Sequence, residues 1–591
     1  MTIIKPLTGE DLTIEEVVKV AVSKEVDVIE IDPRVLEACR ASRELINEKG
    51  DQGKVIYGVT TGFGSNADKV IRADEEIDVT IDGKTTKVNK LKQLQINLLR
   101  SHSTGLGDEF PEEIVRAIML IRLNTLLKGF SGVQKTTLYT LMNFINKRVH
   151  PVIPQQGSVG SSGDLCPLSH MALPLIGEGW VRYGLNAEKM RTQDFFAQHA
   201  PALGIDRVEL GYKEGLALNN GTTVMTAVGA FAIIEAEEIL SVGLTASSLF
   251  FEALCARSDF FAYEPIHKIR RHSGQADIAK AIRNITAGST YINLFATEFA
   301  HLDKDHGVAA ASDKIIEDRK LSGGDTLRGF LKKKSTPQDA YSVRCTPQVF
   351  GASLHAMRHV REVVQNELNA AVDNPLIFVE DDRVISGGNF HGQPIALVMD
   401  YLKIAVAEIG NITERQINKL VDGATNDCLP SFLTKDGGLN SGLMISQYAA
   451  ASIVSENKVL AHPASTDSIP TCANTEDHVS MGTIAARQAL EIVRNVKSIV
   501  AIALLTFHHG FMLRKEQLEG FGITGLDQSP ATNGLYEKIK DVVPDLKDEA
   551  ALTMDRFLHD DLMAIKNAWP EIVRLVGSNF DVSVRHENLN H

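Results

Sequence analysis

The amino-acid sequence predicts a mainly α protein, a large helical bundle with one small β-hairpin inserted. Three observations carry that expectation. Segments rich in Ala, Leu, Ile, Glu and Phe run without proline over 226–256, 444–460 and 479–505. They are apolar nearly all round, so they need burial on several sides, which suggests a central bundle. Strand signals are few, and no linker rich in Pro, Gly and Ser divides the chain. One body is therefore expected rather than separate beads.

The hairpin comes first along the chain. Ile77, Val79 and Ile81 alternate with Asp78 and Thr80, Asp82-Gly83 follows, and a second strand runs over 84–88. Alternation about an Asp-Gly pair is a hairpin signal. Next is the run Gly157-Ser158-Val159-Gly160-Ser161-Ser162-Gly163-Asp164-Leu165, after Pro151 and Pro154 and before a helical stretch from Pro167. The apolar segment at 226 opens the bundle. Segment 400–420 is amphipathic: Leu402, Ala405, Ile409, Ile412 and Gln416 form one packing stripe, and Tyr401, Ile404 and Glu408 share a neighbouring face. The last dozen residues, ending Arg585-His586-Glu587-Asn588-Leu589-Asn590-His591, are polar and read as a loose tail. The expected organisation is a helical and loop region over 1–215, a long-helix bundle over 216–520, and a helical region with tail over 521–591.

Composition narrows the function. The 591 residues carry 61 Lys and Arg against 75 Asp and Glu, a formal charge of −14. A dedicated nucleic-acid binder needs a basic footprint instead. No run approaches the roughly 18 apolar residues of a membrane span. The start, Met1-Thr2-Ile3-Ile4-Lys5-Pro6, has no apolar secretion core. Cys39, Cys166, Cys255, Cys345, Cys428 and Cys472 are sparse, and none forms Cys-x-x-Cys. His355 and His359 could share a helix face, but no third ligand is suggested, and His508-His509 is equally unsupported. A cytoplasmic enzyme is expected, without metal, nucleic acid or membrane partner.

The glycine and serine run admits three readings. It could be a flexible turn. It could be a phosphate cradle, although it lacks the Gly-Lys-Ser/Thr ending and follows no buried strand. It could also be covalent. In x-Ser-Gly, the glycine nitrogen can approach the carbonyl of residue x, because no Cβ obstructs it. Ring closure with loss of water, and loss of the serine hydroxyl as a second water, gives a methylidene-imidazolone (MIO). That product is an electrophilic alkene made from backbone.

Gly157 to Leu165 with Pro167-Leu168-Ser169-His170 resembles the prosthetic-group motif of the MIO-dependent histidine and aromatic amino acid ammonia-lyases and the related 2,3-aminomutases. Tyr57-Gly58-Val59-Thr60-Thr61-Gly62-Phe63-Gly64 resembles their tyrosine loop, and Leu216-Ala217-Leu218-Asn219-Asn220-Gly221-Thr222 their asparagine motif. Gln338-Asp339-Ala340-Tyr341-Ser342-Val343-Arg344-Cys345 follows, with Ala340 where the family has proline. Then come Gly387-Gly388-Asn389-Phe390-His391-Gly392, Asn440-Ser441-Gly442, Ser455-Glu456-Asn457-Lys458 and Glu476-Asp477-His478-Val479-Ser480-Met481. Motifs in this order cover nearly the whole chain. Residue 161 is alanine or threonine in most of the family and serine here; the ring uses only its carbonyl.

The resemblance implies a helical bundle of the histidine/phenylalanine ammonia-lyase (fumarase/aspartase-like) type. It implies a homotetramer with each active site built from more than one subunit. It also implies an MIO group from Ser161-Ser162-Gly163 and no external cofactor. Tyr57 is then the base at the β-carbon, with a phenol lowered from its usual value of roughly 10. Arg344 becomes the carboxylate clamp. Asn220 and Tyr341 hold the group's oxygen and the amine, Phe390 packs over ring and substrate, and Gln338 lines the substrate site. Ser101-His102 matches the pair found in histidine lyases, and Glu408 matches their glutamate. An imidazole has two nitrogens that need polar partners, which a histidine and a carboxylate supply. Deamination of L-histidine to urocanate is the expected reaction. Phenylalanine or tyrosine ammonia-lyase, or an aromatic aminomutase, remains the alternative, because tyrosine aminomutases share an Arg-Ser-His-Ser-x-Gly segment. The 77–88 hairpin is expected to stiffen or shield a lid formed by the tyrosine loop.

Overall fold

The computed structural model describes residues 3–81, 84–300, 307–547 and 549–577. The apolar segments are helices, as strong helix formers without internal proline should be. They span Thr223–Ala253, Met444–Leu460 and Gly482–Gly520. The amphipathic segment lies in Gln393–Val421. The third helix was expected to begin at residue 479. It begins at Gly482, because Met481 has φ +55° and cannot enter a right-handed helix. It also continues past 505 to Gly520. By length and composition it could cross a membrane, contrary to the sequence reading, but 83% of its apolar window is buried within the fold. That burial marks a core helix. Among the described residues, every sheet has two or three strands.

The chain divides into two compact units. The first comprises Met1–Ile234, Val360–Tyr401 and Pro463–Leu490. Its hairpin pairs Glu76–Ile81 with Lys84–Asn89 antiparallel, Ile77 opposite Val88. The Asp82-Gly83 turn lies outside the described residues, as does the 585–591 tail. Asn89 ends the hairpin and caps the next helix, Lys90–His102, its Oδ1 accepting from the amides of Leu91 (3.0 Å) and Lys92 (3.2 Å). The cap satisfies two otherwise orphaned donors. It also joins the hairpin rigidly to the helix that carries Ser101 and His102.

Two buried polar groups brace this unit. Lys213 and Asp373 form an ion pair with both side chains fully buried. Burial lowers the Lys213 ammonium and the Asp373 charge opposes that. The pair ties the segment before Asn220 to the one before Asn374. The Arg122 guanidinium, from helix Glu112–Leu127, donates to the carbonyls of Ala217 and, at 2.8 Å, Asn220.

The second unit comprises Glu235–His359, Leu402–His462 and Glu491–His591. In it Leu402, Ala405, Ile409, Ile412 and Gln416 are all buried, as their spacing predicted. Gln416 is polar in an apolar stripe because its amide is satisfied. Its Nε2 donates to the Ser342 carbonyl at 2.9 Å, and its Oε1 accepts from Ser247 at 2.9 Å.

His150, in strand Val149–Pro151 opposite Arg182, is 1% exposed. Burial, with the charges of Arg116, Arg148 and Arg182, pushes its imidazole from 6.5 to about 3. The folded state thus keeps His150 neutral where the unfolded chain protonates it. Its contribution to stability is full above the ordinary value and is lost as pH falls from there towards the folded value. Chemical denaturation across that window should therefore show a shallower acid loss for His150→Leu than for the unsubstituted protein.

Candidate active site

The glycine and serine run folds as a tight loop held from below. Asp164 is fully buried. Its carboxylate accepts from the amides of Val224 (2.8 Å) and Met225 (2.9 Å), at the start of helix Thr223–Ala253. It also accepts from the hydroxyls of Ser158 (3.0 Å) and Thr483. Burial pushes its carboxyl up and these four donors oppose that. The amide of Asp164 donates to Gly221 O at 2.7 Å. Gly163, at φ +66°, lies so close that a Cβ there would overlap the Gly221 carbonyl, so glycine alone fits. Asn220 Nδ2 donates to the Ser162 carbonyl at 2.9 Å, and Asn220 Oδ1 is buried without a hydrogen bond.

A cavity of about 570 Å³ opens above Ser162. Of the expected residues, Tyr57, Ser101, His102, Ser162, Asn220 and Phe390 line it. Tyr57 Oη accepts from the Gly64 amide at 3.0 Å within its own loop. The expected lowering of its phenol is not met by these surroundings. Burial raises it, Glu476 and Cys472 raise it further, and only the Gly64 amide opposes them. His102 is also half-buried; burial lowers its imidazole, against the Glu476 charge. Its Nδ1 lies 3.0 Å from the Ser101 hydroxyl, which leaves Nε2 for another partner.

Glu476 was quoted in a motif but given no role by the sequence reading. In the structure it faces the serine pair. Ser161 donates to Oε2 and Ser162 to Oε1, both at 2.6 Å, and Thr471 donates to Oε2 at 2.9 Å. The only sequence signal was its place as the first residue of the last ordered motif.

Gln338, Tyr341, Arg344 and Glu408 are not among the residues lining this cavity; they belong to the second unit. Tyr341 is 71% exposed, with the Arg344 guanidinium 4.5 Å over its ring. Glu408, expected to meet a substrate ring, is exposed and accepts from Asn411 at 2.9 Å. The hairpin does not line the cavity either. Val88 borders a larger one of about 970 Å³, where Arg100 is paired with Glu178 at 2.6 Å.

The family model described as aromatic amino acid lyase matches residues 12–541. The chain belongs to that family. It is an enzyme that acts on carbon–nitrogen bonds. It is 44% identical to a histidine ammonia-lyase of Caldanaerobacter subterraneus over 93% of this chain and 94% of that one. It is 43% identical to a histidine ammonia-lyase of Geobacillus thermodenitrificans, over 95% and 96%. Among solved structures, histidine ammonia-lyase from Trypanosoma cruzi superposes with TM-score 0.79 at 32% identity, covering 99% of this chain and 98% of that one. Tyrosine aminomutase from Streptomyces globisporus gives 0.82 at 33%, covering 98% and 100%. Lyase and aminomutase thus share this fold, and the expected helical bundle of that type is what the chain adopts.

The contact at Gly163 makes a direct test. Gly163→Ala forces a side chain into the Gly221 carbonyl and destabilises the fold by more than about 1 kcal/mol. Calorimetry should show the lower melting point.

Proposed function

We propose that the protein deaminates L-histidine to urocanate and ammonia, using a methylidene-imidazolone formed from Ser161-Ser162-Gly163. The observation that carries this reading is the convergence of Tyr57, His102, Asn220, Phe390 and Glu476 on Ser162 in one cavity. The three residues fit the group: Gly163 stands where only glycine fits, and Asn220 already grips the carbonyl that becomes the ring oxygen. Once formed, the ring supplies an electrophile for the substrate amine, which makes ammonia a better leaving group.

The chain's own residues do the rest. Tyr57 removes the β-proton from a lid that holds it beside the bound substrate. Phe390 covers the substrate face. His102 Nε2 and its Ser101 partner meet the imidazole nitrogens, which cost roughly 1–3 kcal/mol each if buried unpaired. Gln338, Tyr341, Arg344 and Glu408 reach the cavity from a neighbouring copy of the chain, in a homotetramer. Ile404, Tyr448, Ile445 and Val459 favour that assembly, since each is more than half exposed and apolar or aromatic. An arriving Arg344 would hold the substrate carboxylate, and its charge would offset the burial that raises Tyr57. No metal and no external cofactor is needed.

Incubation with histidine, phenylalanine and tyrosine in parallel tests the reading by ultraviolet absorbance. Urocanate should form fastest; cinnamate or coumarate as the main product would overturn the substrate. A β-amino acid isomer on chromatography would make the enzyme a mutase. Ser162→Ala should keep the fold, lose the mass deficit of two waters and lose nearly all turnover. Glu408→Gln should depress histidine turnover more than phenylalanine turnover.

A further inference from the structure

We propose that Ser161 is a positioning residue: its hydroxyl tethers Glu476 beside the reacting carbon, and ring closure leaves that hydroxyl untouched. The proposal rests on the ring assigned above. Closure joins the Gly163 nitrogen to the Ser161 carbonyl carbon. The carbonyl oxygen leaves as water with the amide protons of Ser162 and Gly163. The Ser162 hydroxyl leaves as a second water with the Ser162 α-proton. Nothing is taken from the Ser161 side chain.

The consequence falls on Glu476. Before closure, Ser161 and Ser162 each donate to it at 2.6 Å, and Thr471 donates at 2.9 Å. Closure removes the Ser162 donor and frees Oε1, which lay one hydrogen bond from the hydroxyl on Ser162 Cβ. That carbon becomes the alkene terminus, so a substrate amine arriving there meets Oε1. The carboxylate must then be held through Oε2.

Thr471 cannot hold it in place relative to the serine segment. Thr471 and Glu476 belong to one small loop, closed by Thr471 N to Glu476 O (2.9 Å) and Glu476 N to Thr471 O (3.3 Å). Within it Cys472, Ala473 and Asn474 all have positive φ, and all are exposed. Thr471 therefore moves with Glu476. Ser161 sits on the other side, 5% exposed, in the segment fixed by Asp164. Among the hydrogen bonds of the described residues, the next links between these segments lie beyond the loop, from Ser480 Oγ to Gly160 O (2.8 Å) and Met481 N to Val159 O (2.8 Å). Once Ser162 has lost its hydroxyl, Ser161 is the side chain that keeps Glu476 in register. Alanine at this position could not make the tether.

Two measurements test the idea. In the ring-forming enzyme, Ser161→Ala should still show the two-water mass deficit. Its kcat should fall about tenfold with KM nearly unchanged, as expected from losing one hydrogen bond to a charged group at the reacting centre. Ser161→Thr should restore kcat. In the ringless Ser162→Ala protein, adding Ser161→Ala should speed hydrogen exchange at the Thr471 and Glu476 amides about tenfold. Full ring formation with unchanged kcat, or exchange unaffected by the second substitution, would overturn the tether. Incomplete ring formation in Ser161→Ala would overturn it too, by moving the role of Ser161 to maturation. A wild-type chain without the mass deficit would instead remove the functional reading on which the tether depends.

Discussion

The site depends on one buried carboxylate. Asp164 has no solvent contact, yet it collects four donors from three stretches of chain: Ser158, the start of helix Thr223–Ala253, and Thr483 at the start of helix Gly482–Gly520. Two helix N-termini converging on one carboxylate supply both hydrogen bonds and favourable dipoles. They oppose, without cancelling, the desolvation that pushes the carboxyl up. An apolar residue would leave Val224, Met225 and Thr483 without their acceptor and would untie the serine segment from both helices. The positive φ of Gly163 and its closeness to Gly221 follow from that anchorage.

The electrostatics above the anchor run the other way. Burial raises the Tyr57 phenol and lowers the His102 imidazole, and Glu476 is the one carboxylate among the cavity-lining residues. Such a cavity favours neutral aromatic groups and a single negative charge. The cationic side chain among the cavity-lining residues is the exposed Lys69. Arg344 is half-buried beside the exposed Tyr341 in the second unit, its Nε donating to the Asp339 carbonyl at 3.1 Å. Apolar side chains such as Ile404, Ile445 and Val459 also stand open to solvent in that second unit.

How much of this was legible in the sequence depended on how local each cause was. Helices such as Thr223–Ala253 were legible because propensity and pattern agree along their length. The hairpin was legible because an Asp-Gly pair between alternating strands has few other solutions. Tyr57, Ser162, Gly163 and Asn220 were legible through motifs, and the structure gathers them. The start of the last long helix was not, because the positive φ of Met481 is imposed by its bond to Val159, far away in the chain. Glu476 was not, because its partners Ser161 and Ser162 lie more than 300 residues earlier. Glu408 and Arg344 were chemically reasonable choices, but they lie in the second unit and do not line the cavity, and no local pattern in the sequence says so.

The buried Lys213–Asp373 pair and Arg122 raise the question of why so polar a frame surrounds the site. Taking these charges out of water is expensive, and an apolar replacement of similar shape is often no less stable. Apolar packing, however, resists sliding poorly compared with directed hydrogen bonds. Arg122 fixes the carbonyl of Asn220, whose amide holds Ser162, and Lys213 with Asp373 fixes the segment that reaches the cavity at Asn374. Arg122 thus acts on a cavity-lining residue itself, and Asp373 on the residue next to one. Side chains that must act together in one cavity need tolerances of about an ångström or less. A frame of directed polar contacts supplies that precision, and stability is then provided elsewhere, by the apolar helices.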